Sequence, residues 1–166
     1  AFRIPAPGEQ VVAVPINVVR AGVSEGQAAL ARNDFPTALR EFRVAADQGD
    51  PTAQFRLGAM YKDGQGVPKD PQQAVLWFRK AADQGDTTAQ VILGIMYRVG
   101  DGVPKDAQQA AFWYRKAADQ GYASAQSTLG DFYQDGHGVA IDDEQAAFWY
   151  RKAADQGNVL AQFQLG

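Results

Sequence analysis

Apolar residues along this chain fall at helical spacing in short bursts separated by glycine-rich breaks. In "AQFRLGAMYKDG", starting at Ala53, Leu57, Met60 and Tyr61 stand at i, i+3 and i+4, which predicts one buried helix face. "GQGVPKD" follows, where Gly64 and Gly66 accommodate positive φ and Pro68 stops any continuation. Asp70-Pro71-Gln72-Gln73 then reads as a helix start, with Asp70 as N-cap, Pro71 at the first helical position and Gln73 placed to close a capping box. Ala74, Phe78 and Ala81 form the next apolar stripe, with Trp77 beside it and Gly85 placed to end the helix.

The pattern repeats. "AADQG" begins at Ala45, Ala81, Ala117 and Ala153, so each step is 36 residues (81 − 45 = 117 − 81 = 153 − 117). "AQ" followed by "LG" keeps the same step from Ala53, Ala89, Ala125 and Ala161. Three complete two-helix units therefore run 53–88, 89–124 and 125–160, and residues 161–166 begin a fourth. Asp106…Gln109 and Asp142…Gln145 repeat the helix start without the proline. Residues 21–52 hold a shortened unit: Gly26 to Ala38 is 12 residues, where Gly58 to Ala74 is 16, so Asn33-Asp34-Phe35-Pro36 must make a tighter turn. Residues 1–20, with three prolines and a β-branched run, predict an extended or flexible segment. The expectation is an all-α chain in which antiparallel helix pairs stack into an α/α superhelical solenoid.

The motifs "AQ-x-x-LG-x-x-Y", "G-x-GV-x-x-D" and "A-x-x-W-x-x-KAA-x-QG" resemble the Sel-one-like repeat (SLR) family, relatives of the tetratricopeptide repeats. The resemblance covers residues 53–166, while 22–52 look like a tetratricopeptide-type unit. It implies an adaptor or scaffold for a protein or peptide partner, in many bacterial members exported and working at the envelope. An exported protein is the expectation on that ground, with a cytoplasmic one left open.

Comparing the units with one another separates framework from variation. Leu57/Leu93/Leu129, Gly58/Gly94/Gly130, Tyr61/Tyr97/Tyr133, Ala74/Ala110/Ala146 and Trp77/Trp113/Trp149 recur, as residues that dock one unit on the next should. Arg79/Arg115/Arg151 and Lys80/Lys116/Lys152 also recur, near the ends of second helices. There positive charge complements the helix dipole, and Asp83, Asp119 and Asp155 are spaced for local ion pairs, so a solvated face is expected. The first helices are where the units disagree. Phe55, Arg56, Ala59, Lys62 and Asp63 become Val91, Ile92, Ile95, Arg98 and Val99, then Ser127, Thr128, Asp131, Gln134 and Asp135. In tetratricopeptide solenoids the first helix lines the concave groove, so the resemblance makes Phe55, Ala59, Lys62, Val91, Ile95, Arg98, Ser127, Asp131 and Gln134 the candidate partner-binding residues. The competing explanation is drift at exposed positions.

Composition narrows the choices further. A formal charge of -3 gives no reason to expect nucleic acid. The chain has no cysteine, which removes disulfides and thiolate chemistry, and no apolar run approaches the roughly 20 residues of a membrane span. No metal-ligand spacing, phosphate-cradling loop or Ser/His/Asp set stands out, so no cofactor, metal or catalytic residue is expected. The alternative is a cell-envelope enzyme acting on peptidoglycan or β-lactams, built on Asp131, Asp135 and the single histidine, His137. Ala1 in place of Met points to a processed or trimmed N-terminus. "AQFQLG" leaves Phe163 and Leu165 on an uncapped end, and with "VVAVPINVV" near the N-terminus it offers two routes to self-association.

Overall fold

The computed structural model describes residues 16–166. They form nine helices: α1 (Ile16–Ala31), α2 (Phe35–Asp47), α3 (Pro51–Asp63), α4 (Pro71–Asp83), α5 (Thr87–Val99), α6 (Ala107–Asp119), α7 (Ala123–Asp135), α8 (Asp143–Asp155) and α9 (Val159–Leu165). Consecutive helices pack as antiparallel pairs, and the closest approaches all join helices adjacent in the chain. That is the solenoid expected from the 36-residue pattern.

An acidic or amide side chain caps most first turns. Asp70 accepts from the Gln73 amide at 3.0 Å, Asp106 from Gln109 at 3.0 Å and Asp142 from Gln145 at 2.9 Å, all as expected. Asp50, Asp86 and Asn158 cap the first helices in the same way. The capping box is only half closed. The Asp70, Asp106 and Asp142 amides donate to the Tyr61, Tyr97 and Tyr133 carbonyls instead, which ties each loop back to its first helix. The short unit turns through Asn33, at φ 59°, directly into the Asp34 cap.

The N-terminal boundary differs from the sequence expectation. Ile16–Arg20 form the first turns of α1 rather than an extended segment, and residues 1–15 lie outside the described residues. The reason is tertiary. Val19, Val23 and Leu30 pack on the cluster around Phe42 and Leu57, and that burial overrides the weak helical preference of β-branched residues. The "VVAVPINVV" docking route therefore lies partly outside the described residues and partly within α1.

Two devices join the units. Gln54, Gln90 and Gln126 are buried, and each donates to a carbonyl of the preceding second helix: Ala46 at 3.2 Å, Ala82 at 3.0 Å and Ala118 at 3.1 Å. Each also accepts from the glutamine of "AADQG" in its own unit, Gln84, Gln120 or Gln156, at 2.8 Å. This seam accounts for the "AQ" and "DQG" signatures, since a buried amide needs partners. The second device is the loop glycine. Gly102 has φ +71°, and a Cβ there would lie 2.3 Å from the Pro71 carbonyl oxygen at the start of α4.

Candidate functional site

The framework aromatics are where the repeat logic placed them. Trp77, Trp113 and Trp149 are buried in the core clusters, with no open face for a ligand to stack on. Of the recurring arginines, Arg79 and Arg115 depart from expectation, while Arg151 stays exposed. Arg43, Arg79 and Arg115 each donate to a tyrosine hydroxyl of the following unit, on Tyr61, Tyr97 and Tyr133. Arg79 also lies 6.0 Å from the Trp113 ring centre and Arg115 5.2 Å from that of Trp149. These cations are inter-unit joints, because a planar guanidinium can stack and donate at once. The lysines keep to the last turn, Lys80 over Trp77 and Lys152 over Phe148. Among the described residues Asp83, Asp119 and Asp155 make no ion pair.

The nine first-helix candidates do not share one environment. Phe55, Ala59 and Val91 are half-buried against the core, with Phe55 5.6 Å from Phe78. Ser127 is 6 % exposed, so it is buried rather than presented to a groove. Lys62, half-buried beside Asp63 at 3.5 Å, and Ile95, 40 % exposed, stand at the surface away from the main cavity.

Arg98 and Asp131 are brought together. They share a cavity of about 740 Å³ with Val99, Lys105, Thr128, Asp135 and His137 on its walls, and Gln164 of α9 at one side. Five of these residues, Arg98, Val99, Thr128, Asp131 and Asp135, are first-helix positions where the units disagree. Gln134 opens instead onto an adjoining cavity of about 170 Å³ beside Tyr150.

Sequence reasoning missed the residues that hold these groups. The Tyr150 hydroxyl lies 2.7 Å from Asp131 Oδ1 and 2.6 Å from Gln134 Oε1. One hydroxyl proton serves one acceptor, so the pair is satisfied when Tyr150 donates to Asp131 and the Gln134 amide is turned to donate to Tyr150. Burial, followed by the Asp131 hydrogen bond and the Asp131 and Asp135 charges, pushes the Tyr150 hydroxyl well above the ordinary tyrosine range. Burial also pushes Tyr114 up, with the Arg98 cation beside it working the other way. The legible signal was the exchange of Phe78 for Tyr114 and Tyr150 at one register position. A hydroxyl gained at a packed position needs a partner, and the nearest lies on the first helix.

His137 sits at the cavity rim, with Nδ1 3.8 Å from Asp135 and its ring edge-on to Phe132. Among the described residues no cluster of His, Cys, Asp and Glu is arranged to hold a metal.

Stacked antiparallel helix pairs, joined by a repeated polar seam and carrying their variation on the first helices, define an α-helical repeat solenoid of the SLR type. The Sel1 repeat family matches residues 51–86, 87–122 and 123–158, and the chain belongs to it. Its units begin two residues before those read from the sequence motifs, at the first residues of α3, α5 and α7. A protective antigen of uropathogenic Escherichia coli with an SLR fold is similar at 43 % identity and TM-score 0.83, over 89 % of this chain and 32 % of its own. A Sel1 repeat protein from Oxalobacter formigenes is similar at 35 % identity and TM-score 0.81, over 89 % of this chain and 44 % of its own. This chain thus spans less than half the length of either structure. Helicobacter pylori cysteine-rich protein B shares the fold at 24 % identity and TM-score 0.61, covering 80 % of this chain and 95 % of its own. No curated protein matches significantly.

Proposed function

We propose that this chain is a protein-interaction scaffold that holds a peptide or partner domain against the first helices of its units. The observation that carries the reading is the cavity just described. Five of its lining residues are first-helix positions at which the units differ, which supports placing a ligand where the units vary. Its volume falls within the range of ligand pockets. A cross-linking screen with the purified chain should capture a specific partner. Substituting Ile95, Arg98 and Asp131 together should then abolish capture while leaving the helical content unchanged. Partner binding indifferent to that triple substitution would count against the reading.

A cell-envelope enzyme remains the second reading, because Asp131, Asp135 and His137, its three named groups, line the same cavity. Hydrolysis of muropeptides or a β-lactam lost in His137→Ala would support it, and no hydrolysis by the unaltered protein would retire it. We also propose export, on the family resemblance and on the 43 % identical relative that is a protective antigen. Among the described residues no helix is long and apolar enough to cross a membrane. Fractionating cells that express the protein from its own gene, with the periplasmic and secreted fractions probed separately, tests it, and recovery in the cytoplasm alone would overturn it.

A further inference from the structure

The main cavity separates its charges by unit. Arg98 and Lys105 come from the unit at 87–122, Asp131 and Asp135 from the unit at 123–158. Asp131 and Asp135 are one helical turn apart on α7, a spacing at which two carboxylates share a face and repel each other. Asp131 is held in place by the buried Tyr150 hydroxyl at 2.7 Å, and Asp135 has His137 at 3.8 Å. Among the described residues neither carboxylate pairs with a lysine or arginine, and Arg98 stands beside the Tyr114 hydroxyl without reaching a carboxylate. The same register position, Tyr114 in one unit and Tyr150 in the next, therefore stands beside a cation on one wall and holds an anion on the other. In the unit at 51–86 this position is Phe78, which faces Phe55 and holds no charge.

We infer that this cavity recognises an extended segment of a partner protein presenting a lysine or arginine to Asp131 and Asp135 and an acidic side chain to Arg98 and Lys105. The inference rests on the scaffold reading and gives the partner its chemistry. Opposite charges that face one cavity without meeting are best satisfied by a ligand of the reverse polarity, and charge-assisted contacts of this kind also fix orientation. Residues three apart in a polyproline II segment point the same way about 9 Å apart, which lets one extended segment present an acidic and a basic residue to the two walls without their pairing with each other.

The test is a fluorescence-anisotropy titration of the full chain with short labelled peptides. They carry glutamate and arginine three apart, two arginines, two glutamates, or two glutamines. The mixed-charge peptide should bind at least about tenfold tighter than any other. Asp131→Asn with Asp135→Asn should remove that preference. Asp135→Asn alone, at an exposed side chain, should weaken it even if loss of the Tyr150 contact unsettles the double variant. Equal binding of all four peptides, or none below about 1 mM, overturns the inference. If a captured partner is also indifferent to Asp135→Asn, the cavity proposal falls while the scaffold reading stands. If no partner is captured at all, the scaffold reading falls with it.

Discussion

Phe42, Phe78, Tyr114 and Tyr150 occupy one register position, and each ring lies under the first helix of its own pair, against Gly26, Gly58, Gly94 and Gly130. At Gly130 an added Cβ would come within 2.5 Å of the Tyr150 ring, so glycine is required for the close approach rather than for a turn. Where the ring is tyrosine, its hydroxyl reaches the variable face. Raised hydroxyls at Tyr114 and Tyr150 have a consequence with a definite sign. The folded chain keeps these protons after the unfolded chain has lost them, so stability is fully present below about pH 10 and declines above it. Tyr114→Phe with Tyr150→Phe should flatten that decline, read by denaturant unfolding at stepped alkaline pH. An unchanged slope would show that these hydroxyls are not held as described. Trp113 is a joint of a plainer kind, and Trp113→Ala should cost about 3–5 kcal/mol in the same measurement.

At the scale of the helix, the exception among the caps is informative. Asp50, Asp86 and Asn158 cap α3, α5 and α9, whereas Tyr122 begins α7 without a side-chain bond. Tyr122→Asp should therefore stabilise the chain by about 1 kcal/mol, seen as a raised melting temperature. Recurrence does not always mean burial. Leu76, Phe112 and Phe148 share one register position and are half exposed, with Phe112 and Phe148 each 5.0 Å from the neighbouring tryptophan. They shield the tryptophan edge, so a repeated residue can serve its neighbour rather than the core.

At the scale of the molecule, stability is the sum of units and joints. Gly102→Ala would force a Cβ onto the α4 backbone at a positive φ, and should cost at least about 2 kcal/mol at that joint. Hydrogen exchange should show protection lost around α4–α6 and largely retained in α8, because distant units do not touch. A uniform loss would mean that the array opens as one body. The exposed residues of α9, Val159, Leu160 and Phe163, form an apolar face at the end of the described array. Light scattering over a concentration series will show whether two chains meet there; a monomer throughout removes that form of self-association.

The sequence by itself determined the all-α class, the period, the caps at Asp70, Asp106 and Asp142, and the buried tryptophans. All of these are local or periodic, so they repeat visibly within one chain. It also marked the first helices as the place of variation. Tertiary structure decided which variable residues face one cavity, since Arg98 and Asp131 come from different units and share it only through stacking, while Ser127 is buried. It moved Arg79 and Arg115 from the solvated side to the joints, because their partners lie 18 residues downstream in the next unit. And it turned Ile16–Arg20 into helix, because the surface that orders that segment belongs to α2 and α3.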